Sequence, residues 1–209
     1  MITAVIPAYN EEDRIEKVLK ETSQYVDDII VVDDSSTDGT VQVAEEFSKV
    51  TLLRNEENLG YLRSLRRGFG AVEGEIIVTI DADGEHDPSF IPDLVSPIEE
   101  GEADLVFGKR ESIPRWSERL ISKLAKLRAG VEDTGTGLRA LRKSLAERME
   151  LHGYCTCGTF ALEAVSLGAS VTEVKAPVRE VEKAKKIAWQ HFFQFFVVLW
   201  WVTVRDLLS

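Results

Sequence analysis

Asp81, Asp83 and Glu85 occupy alternate positions in the run Ile80-Asp81-Ala82-Asp83-Gly84-Glu85-His86-Asp87-Pro88. Residues two apart in an extended chain point to one face, so the spacing predicts carboxylates gathered on one side with Ala82 turned away. Carboxylates placed together repel each other unless something positive lies between them. A hard divalent cation, Mg²⁺ or Mn²⁺, takes oxygen ligands of this kind and can hold a diphosphate at the same time. The plainer reading is an acidic turn in which Asp87 caps a helix beginning at Pro88, and the two readings are compatible.

Two further polar segments follow apolar runs: Val5-Ile6-Pro7-Ala8-Tyr9-Asn10-Glu11-Glu12 and Val31-Val32-Asp33-Asp34-Ser35-Ser36-Thr37-Asp38-Gly39-Thr40. A carboxylate at a strand tip can accept hydrogen bonds from a base or from ribose hydroxyls. Taken singly, the first also reads as a proline turn and the second as a capping segment with a tight Gly turn. Three such segments after three strands of one sheet are a much stronger signal.

These segments need a sheet to hold them. Short apolar runs predict strands over residues 2–6, 29–32, 50–53, 76–80 and 105–107, and helical spacing predicts helices over 11–25, 40–47, 62–72 and 88–98. Strand–helix alternation with nearly continuous apolar strands implies a mainly parallel sheet covered on both faces. Ligands of such sheets bind beyond the carboxyl ends of the strands, where the polar segments stand. After Lys109 the pattern changes. A basic amphipathic helix is expected over 116–127, a turn-rich joint over 133–137, helices near 141–149 and 160–167, and short strands near 171–174 and 178.

Pro7-Ala-Tyr-Asn-Glu, Asp33-Asp-Ser-Ser-Thr-Asp-Gly-Thr and Asp81-Ala-Asp-Gly-Glu-His-Asp-Pro, in this order, resemble the family 2 glycosyltransferases of the GT-A fold. The likeness extends over nearly the whole chain and is greatest to the dolichyl- or polyprenyl-phosphate sugar synthases. Gly108-Lys-Arg is similar to that group's Gly-Ser-Arg. Residues 116–122 are similar to its acceptor-side helix, and residues 133–140 to its Asp-x-x-Ser-Gly-Phe-Arg-Ala segment. The resemblance implies a GT-A, Rossmann-like, mostly parallel sheet flanked by helices. The nucleotide-sugar half would cover about 1–110, the acceptor half about 111–188, and an amphipathic tail 189–209. It implies that Pro7, Tyr9, Glu11 and Asp33 hold base and ribose. Asp81, Ala82 and Asp83 would address the nucleotide sugar, and Asp83 and Glu85 would bind the metal. Arg110, Arg179 and Lys185 would meet an acceptor phosphate, although Glu182 and Ala184 replace the Gly and Ser of that phosphate loop. Glu163 would stand on the acceptor-facing helix, as a general base for a hydroxyl acceptor or as a positioning residue for a phosphate. The implied reaction is inverting transfer of a hexose from GDP-mannose or UDP-glucose to a lipid phosphate. The alternatives are another acceptor, a sugar nucleotidyltransferase or a non-catalytic module.

The chain has 209 residues, with 36 acidic against 25 basic side chains and a formal charge of -11, a poor balance for a nucleic-acid binder. Cys155 and Cys157 are too close together for an ordinary disulfide framework and lack the second pair expected of a structural zinc site, so they read as small buried residues of a cytosolic protein. The N-terminus reads as a first strand and not as a signal peptide. The aromatic tail from His191 to Arg205, flanked by Lys183, Lys185 and Lys186, suits a helix lying in a membrane interface, with packing on the domain or dimerisation as alternatives. A second basic face, Arg115, Arg119, Lys123, Lys126 and Arg128, is available for headgroups. The expected setting is the cytoplasmic face of a membrane.

Overall fold

The computed structural model describes residues 1–113, 115–179 and 188–203. Five strands and four helices alternate through the first half: β1 (Ile2–Ala8), α1 (Glu12–Thr22), β2 (Asp28–Asp33), α2 (Thr40–Glu45), β3 (Val50–Arg54), α3 (Tyr61–Ala71), β4 (Ile76–Thr79), α4 (Ile91–Glu99) and β5 (Leu105–Lys109). There follow α5 (Trp116–Ala129), β6 (Arg139–Arg142), α6 (Lys143–Ala146), α7 (Thr159–Ser166), β7 (Val171–Lys175) and α8 (Ala188–Thr203).

The seven strands among the described residues form one sheet in the order β3-β2-β1-β4-β6-β5-β7. Every pairing is parallel except those of β6, which runs antiparallel to both β4 and β5. The apolar strands serve two cores because side chains alternate between faces. Ala4, Ile6, Ile29, Val31 and Val78 point toward α1 and α4, while Val5, Ile30, Val32 and Ile77 point toward α3 and α7. A smaller cluster joins α5, α7 and α8 through Ile121, Ala125, Leu162, Val198 and Trp201.

β6 corrects the sequence expectation of a helix near 141–149. Only Lys143–Ala146 is helical, and Arg139–Arg142 is a strand pairing Thr79 with Arg139 and Phe107 with Arg139. Alternation over four residues is too short to outweigh a helix-like Leu-Arg-Lys-Ser-Leu-Ala run, so only the partners on both sides decide it. The direction of β6 has a functional consequence. Running antiparallel, it places the preceding segment, residues 133–138, at the same edge of the sheet as the carboxyl ends of β1, β2 and β4. The expected strand at 178 is an isolated bridge from Val178 to His86.

Candidate active site

The loops after β1 and β2 are knitted together by their own polar side chains. Asn10 accepts from the Thr37 amide at 2.8 Å, Glu12 accepts from the Gly39 amide at 2.9 Å, and Thr40 Oγ1 accepts from the Glu11 amide at 2.8 Å. Asn10 and Ser35 have φ of 56° and 67°, the left-handed region that non-glycine residues rarely enter. Asp34 accepts from the amides of Leu59 and Gly60, each at 2.8 Å, and from Asn55 Nδ2 at 2.7 Å, which sets the loop that leads into α3.

β4 ends at Thr79, so Asp81, Asp83 and Glu85 leave the strand and are carried by a turn with Gly84 at φ 74°. The alternation predicted for them is therefore replaced by turn geometry. Asp83 Oδ1 accepts from the Glu85 amide at 3.0 Å. Asp81 Oδ1 accepts from the Tyr61 hydroxyl at 2.8 Å, and burial together with the Asp81 charge pushes that phenol well above its ordinary value. Asp87 caps the 3₁₀ turn Pro88–Phe90 by accepting from the Ser89 amide at 3.0 Å, as expected. His86 is buried, and its burial holds the imidazole below the ordinary histidine value. Its Nε2 accepts from the Gly137 amide at 3.2 Å, while Thr79 Oγ1 donates to the Gly137 carbonyl at 2.8 Å. The 133–137 segment is thus clamped against the Asp81 turn.

One open cleft runs along this edge. Pro7, Tyr9, Glu11, Asp81, Ala82, Asp83 and Glu85 line one part of it, and Arg110, Arg139, Arg179 and residues of α5 and α8 line the rest. Glu11 titrates above its ordinary value because of burial, with Asp83 adding repulsion. Mg²⁺ usually takes one or two carboxylates and completes its shell with phosphate oxygens and water, and Asp83 and Glu85 both line this cleft.

Several expected site residues sit differently. Asp33 is fully buried at the end of β2, accepts from the Ser36 amide at 3.2 Å, and does not line the cleft. Asp34, its neighbour, does line it. Arg110 is buried in a two-pronged pair with Asp133, at 2.7 and 2.8 Å, and lies 3.2 Å from Glu118. Its charge is spent on building the wall as much as on facing the cleft. Arg179 likewise answers Glu21 at 2.6 Å and Asp87 at 3.1 Å. Lys185, with Glu182 and Ala184, lies outside the described residues.

Glu163 does not line the cleft. It is buried and accepts from the amides of Glu150, Leu151 and His152 at 2.5, 3.1 and 3.4 Å. A carboxylate that accepts from three backbone amides holds a loop, which favours the positioning role over that of a general base. Glu163→Gln is expected to lower stability by about 1–3 kcal/mol, since an amide cannot accept all three bonds. The transfer rate per folded molecule stays near the parent's, whereas losing a general base would cost roughly 100- to 10,000-fold. Urea unfolding and kcat, measured on the same preparation, separate the two.

Asp133 supplies a second prediction. Burial alone raises a carboxyl, but the hydrogen bonds and charge of Arg110 prevail and hold Asp133 below its ordinary value. A depressed folded-state value means that this stabilisation is present above the unfolded carboxylate value of about 3.9 and is lost as pH falls through the folded one. Asp133→Asn leaves the Arg110 charge poorly matched and is expected to cost about 3–5 kcal/mol at neutral pH. The loss is read as a lowered urea midpoint that narrows toward the parent's in acid.

Arg139 and Tyr61 also line the cleft, although the sequence analysis gave neither a role. Arg139 is fully buried at the head of β6, over the rings of Phe160 (4.8 Å) and Phe107 (5.7 Å). Its Nη2 donates to Thr156 Oγ1 at 2.7 Å, while Nε and Nη1 have no hydrogen-bond partner among the described residues. A buried guanidinium with unmatched donors in a cleft wall is suited to an anionic ligand.

A family model described as glycosyl transferase family 2 matches residues 3–160. The chain belongs to that family. Members transfer sugars, and this chain is accordingly a glycosyltransferase of GT-A fold. It is 32% identical over 173 residues to a dolichol-phosphate mannosyltransferase of Pyrococcus furiosus, a match covering 72% of this chain and 49% of that one. The chain thus spans about half the length of that relative. It is 28% identical to a UDP-N-acetylglucosamine–dolichyl-phosphate N-acetylglucosaminyltransferase of Methanococcus voltae, over 87% of this chain and 86% of the other. The fold matches glucosyl-3-phosphoglycerate synthase of Mycobacterium tuberculosis in complex with Mn²⁺, UDP-glucose and phosphoglyceric acid. The TM-score is 0.77 at 25% identity, over 97% of this chain and 78% of that one. A divalent cation with a nucleotide sugar is therefore seen in a structure of this architecture.

Proposed function

We propose that this chain moves a hexose from a nucleotide sugar, GDP-mannose or UDP-glucose, to a polyprenyl phosphate with inversion at the anomeric carbon. The observation that carries the reading is a cleft that holds the acidic turn and is also lined by Trp116, Ser117, Glu118 and Arg119 of α5 and by His191 of α8, two helices with exposed aromatic side chains. Phe192, Phe193, Phe196 and Trp200 of α8 are 56, 46, 51 and 46% exposed, while His191, Gln194 and Val198 of the same helix are buried. The helix hides polar groups and presents aromatic ones, the reverse of a water-facing surface, and Trp116, Leu120 and Leu127 of α5 are exposed as well. This supports docking on a membrane interface from the cytoplasmic side. No described helix is long and apolar enough to cross a membrane.

The donor lies against Pro7, Tyr9, Glu11, Asp81, Ala82 and Asp83. Asp83 and Glu85 would hold Mg²⁺ or Mn²⁺, which would supply positive charge to balance the nucleoside diphosphate. Tyr61 and Gly137 fix the Asp81 carboxylate. The acceptor phosphate oxygen forms the new bond to the anomeric carbon on the face opposite the leaving group, and the diphosphate departs with the electron pair of the broken bond. Arg139, with its unmatched donors, offers charge to one of the two anions. An acceptor phosphate is already anionic near neutral pH and needs no side-chain base, which agrees with Glu163 being tied to the backbone.

Calorimetric titration of GDP-mannose, UDP-glucose and UDP-N-acetylglucosamine, with Mn²⁺ and with chelator, identifies the donor. Transfer of labelled sugar to polyprenyl phosphate in vesicles is then compared with transfer to 3-phosphoglycerate. Incorporation into the lipid alone supports the reading. Incorporation into the soluble phosphate alone moves the chain to the chemistry of its structural neighbour.

A further inference from the structure

The cleft wall holds a second group of metal-ligating side chains that the transfer reaction does not use. Cys155 and Cys157 lie in the loop between α6 and α7, and His191 is on α8, more than thirty residues later. Their two sulfurs and one imidazole nitrogen lie within 4.8 Å of one another. Cys157 and His191 are buried and Cys155 is half-buried. Tetrahedral zinc, with bonds of about 2.3 Å to sulfur and about 2.0 Å to nitrogen, holds such ligands roughly 3.5–3.8 Å apart, so closing on an ion needs shifts of roughly an ångström.

The surroundings are built around this group. Gln194, fully buried and one turn beyond His191, donates through Nε2 to the carbonyls of Cys155 (2.9 Å) and Cys157 (2.8 Å). Its Oε1 accepts from the Tyr154 amide at 2.8 Å. Ser117 Oγ is 2.7 Å from His191 Nδ1 and sets the ring's orientation, as outer-sphere partners do for metal-bound histidines. Gly153 and Gly158, at φ 106° and 79°, bring the loop so near α8 that a Cβ would stand 2.6 Å from Gln194 and 2.7 Å from Val198. The loop carrying the thiols and the helix carrying the imidazole are thus shaped to each other.

We propose that Cys155, Cys157 and His191 bind Zn²⁺, separately from the hard cation at Asp83 and Glu85, and that the ion staples α8 to the cleft wall. Two thiolates and an imidazole select a borderline-soft ion over Mg²⁺ or Mn²⁺, the reverse of the carboxylate site. Each thiol gives up its proton on binding, and the two negative sulfurs then neutralise the ion, so the buried complex carries no net charge. All three residues line the cleft, which leaves the fourth coordination position open to water on that side. Because one ligand comes from α8, occupancy stabilises the docking of the helix that bears the exposed aromatics.

Cobalt titration of the reduced, chelator-stripped full chain tests this. One equivalent is expected to give thiolate-to-cobalt charge transfer and tetrahedral d–d bands, both displaced by Zn²⁺. Elemental analysis of protein made with zinc present is expected to show one zinc per chain. Cys155→Ser, at the half-buried position, and His191→Gln should each weaken binding by more than about 100-fold, beyond the loss typical of an outer-sphere partner. Asp83→Ala should leave the bands unchanged. A folded, reduced chain without thiolate–cobalt bands overturns the proposal. So do bands that survive both Cys155→Ser and His191→Gln, or a Cys155–Cys157 disulfide in protein made with zinc present. If His191→Gln does not fold, Cys155→Ser alone decides.

Discussion

Asp83→Ala is expected to lower kcat/KM for sugar transfer by about 100- to 1,000-fold, roughly 2.7–4 kcal/mol of transition-state stabilisation, the scale of one preorganised electrostatic group. Asp83 is on the turn after β4, lines the cleft, and through Oδ1 receives the amide of Glu85. In the proposed mechanism, removing its carboxylate would take away one oxygen donor for the cation and release the backbone that carries the second. The Asp83 side chain is half-buried and belongs to neither apolar core, unlike its neighbour Ala82, so the loss falls on function more than on folding. Donor titration in Mn²⁺ and in chelator should become indistinguishable in the variant. Metal-dependent transfer at the parent rate would remove Asp83 from the site.

Gly137→Ala is the second large effect. A Cβ at this position would overlap the Asp81 carboxylate. Neither side can yield easily. The Gly137 backbone is held by Thr79 through its carbonyl and by His86 through its amide, and Asp81 is held by Tyr61. A methyl group therefore displaces the carboxylate, and a shift of about an ångström in a positioned group costs roughly 100-fold in rate. The expected result is a fall in kcat/KM of that order with the circular dichroism of the parent retained. Gly137→Ala at parental kcat/KM would mean that Asp81 does not need its observed place.

Much of this site is legible from residue order. Apolar runs of three to five residues separated by amphipathic helices make a parallel sheet, and a parallel sheet delivers polar loop residues to one edge. The strands at the N-terminal side fall within two residues of expectation because their patterns are local. Local patterning failed where the partners were remote. Arg139–Arg142 reads as helix until β4 and β5 close on it from both sides. Glu163 reads as an acceptor-facing carboxylate until the 150–152 amides turn back to it. Asp33 and Asp34 are adjacent carboxylates, yet only Asp34 lines the cleft: Asp33 ends β2 fully buried, and Asp34 stands just beyond the strand.

The sequence by itself determined the family, the fold class and the acidic turn after β4, since each depends on short-range pattern and on residue types within one loop. Tertiary structure alone decided which groups meet across the cleft. Tyr61 reaches Asp81 from α3, Gly137 reaches it through an antiparallel strand, and His191 reaches Cys155 and Cys157 from the last helix. The physical reason is that such contacts are set by the packing of elements far apart in the chain, and neighbouring residues carry no record of them.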